Sequence, residues 1–295
     1  MISKTAMVTI CGRPNVGKST LTNALVGEKI AIVSNKPQTT RNRISAVVNR
    51  GDTQFIIIDT PGFHKPKTRL GDYMVNVVKE SVADVDAVML LVEPIASIGR
   101  QEEELIARIK ETGVPAILVI NKIDTVEKTE LLEVMATYSA AHEFDAVIPV
   151  SAKNGEGLDE LVSELGKYAQ PGPQLFPDDM ICDQPEKQIC AELVREKLLL
   201  CLDKEIPHGT AVEVTRFTER DNGIIDLDVT IYCEKASHKG IIIGRQGVML
   251  KRIGELARKD IEAFMGTKVF LQTWVKVKEN WRDSTAQLRN FGFTE

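Results

Sequence analysis

Through the first 170 positions, short apolar runs alternate with stretches in which apolar side chains recur at helical spacing. The runs at Ala6–Ile10, Ile44–Asn49, Gln54–Asp59, Ala87–Val92, Ala116–Asn121 and Ala146–Val150 predict strands. Helical patterns lie between most of them, at Lys18–Val26, Leu70–Ala83, Gln101–Glu111, Glu130–Ala141 and Leu158–Tyr168. Strand–helix alternation predicts a doubly wound α/β sheet. One pair departs from it. Only Arg50-Gly51-Asp52-Thr53 joins the second and third strands, too short for a crossover, so that pair should be antiparallel.

The pattern stops at Gln170-Pro171-Gly172-Pro173, and Pro177-Asp178-Asp179 follows, a composition that marks a linker. Beyond it the order changes. A helix is expected from Pro185 to Leu202, strands at Ala211–Thr218 and Ile224–Cys233, helices at Ala236–Ile242 and Val248–Phe264, and a strand at Lys268–Val277. This predicts an α/β domain over 1–170, a linker over 171–184 and a small α+β domain over 185–295.

Composition narrows the class. The chain has 295 residues, 43% hydrophobic and 27% charged, enough to bury two cores. No apolar run approaches the ~20 residues of a membrane span, and Met1–Ile10 lacks the apolar core of a signal peptide. Five cysteines without C-x-x-C spacing fit free thiols of a reducing cytosol better than disulfides or zinc. A net charge of −5 leaves room for a local basic face.

Gly12-Arg13-Pro14-Asn15-Val16-Gly17-Lys18-Ser19 fits G-x-x-x-x-G-K-[ST], placed after a strand and opening a helix. Its glycines let backbone N–H groups face phosphates at a helix N-terminus. Lys18 would reach the β- and γ-phosphates, and Ser19, followed by Thr20, would ligate Mg²⁺. Asn121-Lys122-Ile123-Asp124 follows an apolar strand at the carboxyl end of the sheet. Its Asp124 carboxylate suits the N1–H and N2–H₂ donors of guanine, a pair adenine lacks. Asn121 would bond the base or tie this loop to the phosphate loop, and the Lys122 stem would cover the ring. Ser151-Ala152-Lys153 would offer a backbone N–H to the guanine O6. Asp59-Thr60-Pro61-Gly62 would hold Mg²⁺ through Asp59 and contact the γ-phosphate through Gly62. Of Thr39 and Thr40, the second is the better candidate to complete the metal shell.

These five segments resemble those of the P-loop GTPases, and G-R-P-N-V-G-K-S with D-T-P-G resembles their translation-factor-related branch. The glutamine that orients the attacking water in Ras-like members is replaced here by Phe63, which cannot hydrogen-bond water, so intrinsic hydrolysis should be slow. His64 is a weak stand-in. The resemblance implies that Asn15 holds a potassium ion beside the phosphates.

In the second half, Ile241-Ile242-Ile243-Gly244-Arg245-Gln246-Gly247 resembles the G-x-x-G loop of KH domains, set in type II order. Such a loop clamps about four single-stranded nucleotides. Ile241–Ile243 would form an apolar wall, and Lys251 belongs to a basic cluster with Lys239, Arg245, Arg252, Arg258 and Lys259. Trp274 and Trp281 are expected as packing residues rather than base-stacking platforms. A GTPase domain followed by one KH domain resembles the bacterial Era family. That resemblance implies a GTP/GDP- and Mg²⁺-dependent switch acting on the 3′ end of 16S rRNA in assembly of the 30S subunit, with a link to cell growth and the cell cycle. It further implies a cytoplasmic monomer with peripheral inner-membrane contact. The rivals are a GTP-dependent placeholder with negligible turnover and an ATP-dependent RNA remodeller, which Asn121-Lys122-Ile123-Asp124 disfavours.

Overall fold

The computed structural model describes residues 2–62, 68–82 and 84–293. Phe63 and His64 lie outside them. The chain forms two compact units. The first comprises residues 2–31, 40–62, 74–82 and 84–183, the second 32–39, 68–73 and 184–293.

The first unit is built from β1 (Lys4–Cys11), α1 (Lys18–Val26), β2 (Ile44–Arg50), β3 (Thr53–Asp59), most of α2 (Arg69–Ser81), β4 (Ala87–Val92), α3 (Arg100–Thr112), β5 (Ala116–Ile120), α4 (Lys128–Ala141), β6 (Ala146–Pro149), α5 (Leu158–Leu165) and the two-residue β7 (Gln170–Pro171). The sheet order is β2-β3-β1-β4-β5-β6, and β7 pairs with β1 off this path. β2 and β3 are antiparallel, as their short connection requires; β1, β3, β4, β5 and β6 run parallel. Strands β3, β4 and β5 are buried on both faces, which is why they read as unbroken Ile/Val/Leu runs. Helices α3 and α4 pack on β4 and β5 through Leu105, Ile109, Val134 and Tyr138. The chain leaves β1 for β2 and β3 on one side and returns to β4 on the other. A crevice therefore opens at the carboxyl end of β1, the place where open α/β sheets bind ligands.

Residues 171–183 stay on this sheet. Pro171 and Gln170 pair with Lys4 and Thr5, the Gln54 amide holds Leu175 and Phe176, and Cys182 bridges to Ala46 on β2. Asp183 accepts from the Ser45 N–H at 3.0 Å.

The second unit contains α6 (Glu186–Cys201), β8 (Thr210–Glu219), β9 (Ile225–Cys233), α7 (Ala236–Ile243), α8 (Val248–Met265), β10 (Val269–Val277) and α9 (Thr285–Asn290). β8 and β9 are antiparallel, β9 and β10 parallel. Helices α6 and α8 pack together beside this sheet, burying Leu193, Val194, Leu198, Ile253, Ala257 and Ile261. Helix α9 was not expected from the sequence. It is capped by Ser284, whose Oγ accepts from the Gln287 N–H. Just before it, Trp281 is fully buried, donates Nε1–H to the Gly209 carbonyl at 3.0 Å and meets Phe291 edge-on. Trp281 is a core residue, whereas Trp274 is exposed on β10.

Candidate nucleotide site and RNA loop

β1 ends at Cys11, and the chain turns through Gly12–Gly17 into α1. Gly17 has φ +102°, and a Cβ there would sit 2.2 Å from the Asn121 amide nitrogen. Only glycine allows that approach. Asn121, 2% exposed, uses both ends of its amide. Its Nδ2 donates to the Val16 carbonyl at 2.8 Å, and its Oδ1 accepts from the Ala152 N–H at 3.0 Å. One side chain thus ties the phosphate loop, the loop after β5 and Ser151–Lys153 together. Of the two roles open to Asn121, the geometry shows the tie.

Lys18 is buried and donates to the Gly12 and Arg13 carbonyls at 3.0 and 3.1 Å. Burial pushes its ammonium down to about 8, against the pull of Asp59. The same burial pushes Asp59 up to about 6, against the pull of Lys18 and the Ser19 hydrogen bond.

Three oxygen-bearing side chains converge beside Lys18. The Ser19 hydroxyl donates to Asp59 Oδ2 at 2.9 Å and lies 2.8 Å from the Thr40 hydroxyl. Ser19 therefore accepts from Thr40. Asp59 is fully buried, yet its Oδ1 has no hydrogen-bond partner. An orphaned carboxylate oxygen beside two hydroxyls fits a hard, oxygen-seeking cation such as Mg²⁺. Thr39 is engaged elsewhere, donating to the Lys36 carbonyl at 2.6 Å. Thr20, the next residue on α1, is half-buried, and Gly62 lies against Pro14 of the phosphate loop.

The base loop is braced through Lys122 and Arg13 by Glu93 and Glu102, two carboxylates the sequence did not single out. Lys122, at φ +63°, donates to the Asn15 carbonyl at 2.8 Å and pairs with Glu93 at 2.5 Å. The other Glu93 oxygen pairs with Arg13 at 2.7 Å. Arg13 also meets Glu102 at 3.3 Å, and the buried Glu102 accepts from the Gly99 N–H where α3 begins. The signal was faint: Glu93 is the first residue after β4, at the carboxyl end of the sheet. Asp124 and Lys153 are exposed and Ser151 is buried. The Ser151 hydroxyl donates to Asp124 at 2.7 Å, orienting the carboxylate and holding it below the usual carboxyl range. Asp124 is thus open in the chain itself, and a bound base would be what covers it. Asn15 is exposed, in the left-handed region at φ +68°.

In the second unit the Gly244–Gly247 turn joins α7 to α8. Gly244 has φ +74°, and a Cβ would lie 2.7 Å from the Met249 Cβ and 2.9 Å from its nitrogen. Arg245, Gln246 and Lys251 are exposed. The expected apolar wall needs one correction. Ile242 is fully buried and belongs to the core, because consecutive helical residues point about 100° apart; Ile241 and Val248 are the exposed apolar residues beside the loop, with Ile243 half-buried. Among the described residues no cluster of three or more His, Cys, Asp or Glu could hold a metal.

A family model described as 50S ribosome-binding GTPase matches residues 7–122, and a KH-domain model matches residues 205–282. GTPase Era of Ruminiclostridium cellulolyticum is 52% identical over 293 residues, spanning 99% of this chain and 98% of that protein. GTPase Era of Clostridium perfringens is 47% identical over 290 residues, 98% of each. A crystal structure of Era in complex with MgGDPNP and nucleotides 1506–1542 of 16S ribosomal RNA superposes with a TM-score of 0.95 at 37% identity, covering 99% of this chain and all of that one. An Aquifex aeolicus Era variant bound to GDP·AlF₄⁻ superposes with a TM-score of 0.94, also at 37% identity. Sequence likeness over the whole length of these relatives, carried by the same two domains in the same order, shows that the chain belongs to the GTPase Era family.

Proposed function

We propose that this GTPase is a guanine-nucleotide switch that reads single-stranded RNA at the 3′ end of 16S rRNA and acts in assembly of the 30S subunit. The convergence of Ser19, Thr40 and the orphaned Asp59 oxygen beside Lys18, in a chain that also carries a G-x-x-G loop, is the observation that supports it.

The roles follow from the donors and acceptors present. Backbone N–H groups of Gly12–Gly17 and the Lys18 ammonium hold the phosphates. Asp124 accepts from guanine N1–H and N2–H₂, and the Ala152 or Lys153 N–H faces O6. Ser19, Thr40 and Asp59 would hold Mg²⁺, which neutralises charge building on the β- and γ-phosphates. The Gly62 N–H meets the γ-phosphate. Thr40 and Gly62 both depend on the third phosphate, so their loops would be ordered in the GTP state and released after hydrolysis. Phe63 stands where Ras-like GTPases carry the water-orienting glutamine and offers no hydrogen bond, so turnover would be slow without help from RNA and from a potassium ion at Asn15. The family resemblance extends this reading to a cytoplasmic monomer, peripheral membrane contact and a tie to growth and the cell cycle. No described helix is long and apolar enough to cross a membrane.

GTP hydrolysis in potassium and sodium salts, with and without an oligonucleotide copying the 3′ end of 16S rRNA, tests this reading. Stimulation by RNA, larger in potassium, is expected. Bound RNA without stimulation would favour the placeholder reading, for which Phe63 already speaks.

The Asp59 carboxyl adds a pH dependence. Its value, pushed up to about 6 by burial, means protons compete with Mg²⁺ below that pH. The Mg²⁺ concentration that half-saturates GDPNP binding should be level above pH 6 and rise up to about tenfold per unit below it. A level profile down to pH 5 would remove Asp59 from the metal site.

A further inference from the structure

Three consecutive charged residues on α6 are buried: Arg195, Glu196 and Lys197, at 1%, 2% and 6% exposure. Successive helical side chains point about 100° apart, so each must find its partners on a different side. Buried charges persist only where they are paired and hydrogen-bonded.

Two of the three face residues 32–39, the segment of this unit that runs into Thr40. The Arg195 guanidinium donates to the Thr39 carbonyl and, at 3.4 Å, to the Gln38 carbonyl, while Glu192 holds its Nε and Nη2 at 2.8 and 2.5 Å. Glu196 accepts from the Val33 N–H at 2.9 Å. Lys36 donates to the Leu202 carbonyl at the end of α6 and pairs with Asp203 at 3.3 Å. Gln38 sits at φ +58°, a conformation that a non-glycine residue keeps when its surroundings hold it. The segment is therefore gripped near its start, middle and end. The third charge faces the other way: Lys197 pairs with Glu196 and with Asp260 on α8, both at 2.5 Å. Helix α8 is the one that leaves the G-x-x-G loop.

We infer that Arg195 and Glu196 are positioning residues that set the Thr40 hydroxyl for the metal from the far side of the Thr39 peptide, and that Lys197 links this setting to the RNA-loop helix through Asp260. The inference rests on the reading of Ser19, Thr40 and Asp59 as Mg²⁺ ligands. Arg195 suits the task because its fork of donors can span a carboxylate and two carbonyls at once; lysine would keep the charge and lose the fork. GDP lacks the phosphate that draws Thr40 in, so only the triphosphate state should feel the loss of Arg195.

The test uses the full chain with Arg195→Ala, Arg195→Lys and Lys36→Ala. Affinities for GDPNP and GDP are measured across Mg²⁺ concentration, and amide hydrogen exchange of residues 32–40 is followed without nucleotide. Arg195→Ala should weaken GDPNP about tenfold, raise its Mg²⁺ requirement by a similar factor and leave GDP within about twofold. Exchange over 32–40 should quicken. Arg195→Lys should fall between this variant and the parent. Lys36→Ala, which leaves no buried charge behind, should shift both readouts in the same sense by less, and it carries the test if Arg195→Ala does not fold. Unchanged GDPNP-to-GDP ratios and unchanged exchange in folded variants would overturn the inference, as would equal weakening of both nucleotides. A parent chain with no Mg²⁺-dependent preference for GDPNP would instead overturn the metal-ligand reading beneath it.

Discussion

Asp124→Asn should weaken GTP and GDP binding by about two to four orders of magnitude, the loss of two charge-assisted hydrogen bonds to guanine. The same variant should bind xanthine nucleotides better than the parent does, because xanthine replaces the N2–H₂ donor with a carbonyl that an amide can donate to. The position can carry so clean a reversal because Asp124 is exposed and oriented by the Ser151 hydroxyl at 2.7 Å, and asparagine can accept that same bond. Direct binding of guanine and xanthine diphosphates to both chains checks it. A variant that loses both families of nucleotide equally would show a collapsed loop rather than a changed reader. A variant that still prefers guanine would remove Asp124 from base recognition.

The second large effect is expected in the KH unit. Replacing Arg245 and Gln246 together by aspartate leaves both glycines in place and changes the loop charge by three units. Each new unit charge near a phosphate costs about 1 kcal/mol at contact distance in water, so affinity for single-stranded RNA should fall roughly a hundredfold. Both residues are exposed, so the melting temperature should stay within a few degrees. Gly244→Ala is a poorer test, since its Cβ would strike Met249 at 2.7 Å and lower stability along with binding. If the double aspartate variant binds RNA like the parent, the loop is not the RNA contact. If nucleotide binding alone fails, the assignment of the two units is reversed.

Much of this was legible because the signals are local. Strands buried on both faces appear as apolar runs, the Gly51-Asp52 connection forces an antiparallel pair, and the loops proposed to hold phosphate and base follow strand ends directly. The sequence favours Thr40 over Thr39 without a physical reason; the structure supplies one, since the Thr40 hydroxyl lies 2.8 Å from Ser19 whereas Thr39 donates to the Lys36 carbonyl. What escaped notice depends on chain segments far apart in sequence. Glu93 acquires its role only because the topology sets β4 beside β1, where one carboxylate meets both Arg13 and Lys122. Residues 32–39 are aperiodic and, after Ile32 and Val33, mostly polar, and nothing in them announces that α6 holds them. Three successive isoleucines at 241–243 look alike in sequence, yet helical geometry sends one into the core and leaves another exposed. Helix α9 has six residues, too few for a period to reveal it.

Linkage between the two ligands is the central claim, and it is reciprocal: if GTP strengthens RNA binding, RNA must strengthen GTP binding by the same factor. The affinity of the full chain for an oligonucleotide copying the 3′ end of 16S rRNA, measured with saturating Mg²⁺·GDPNP and again with GDP, tests it most directly. Tighter binding with GDPNP, by about five- to a hundredfold, is the expected result, matched by an equal gain in GDPNP affinity when RNA is present. The same Kd with both nucleotides would contradict it and leave a nucleotide site and an RNA site that share a chain without sharing a switch.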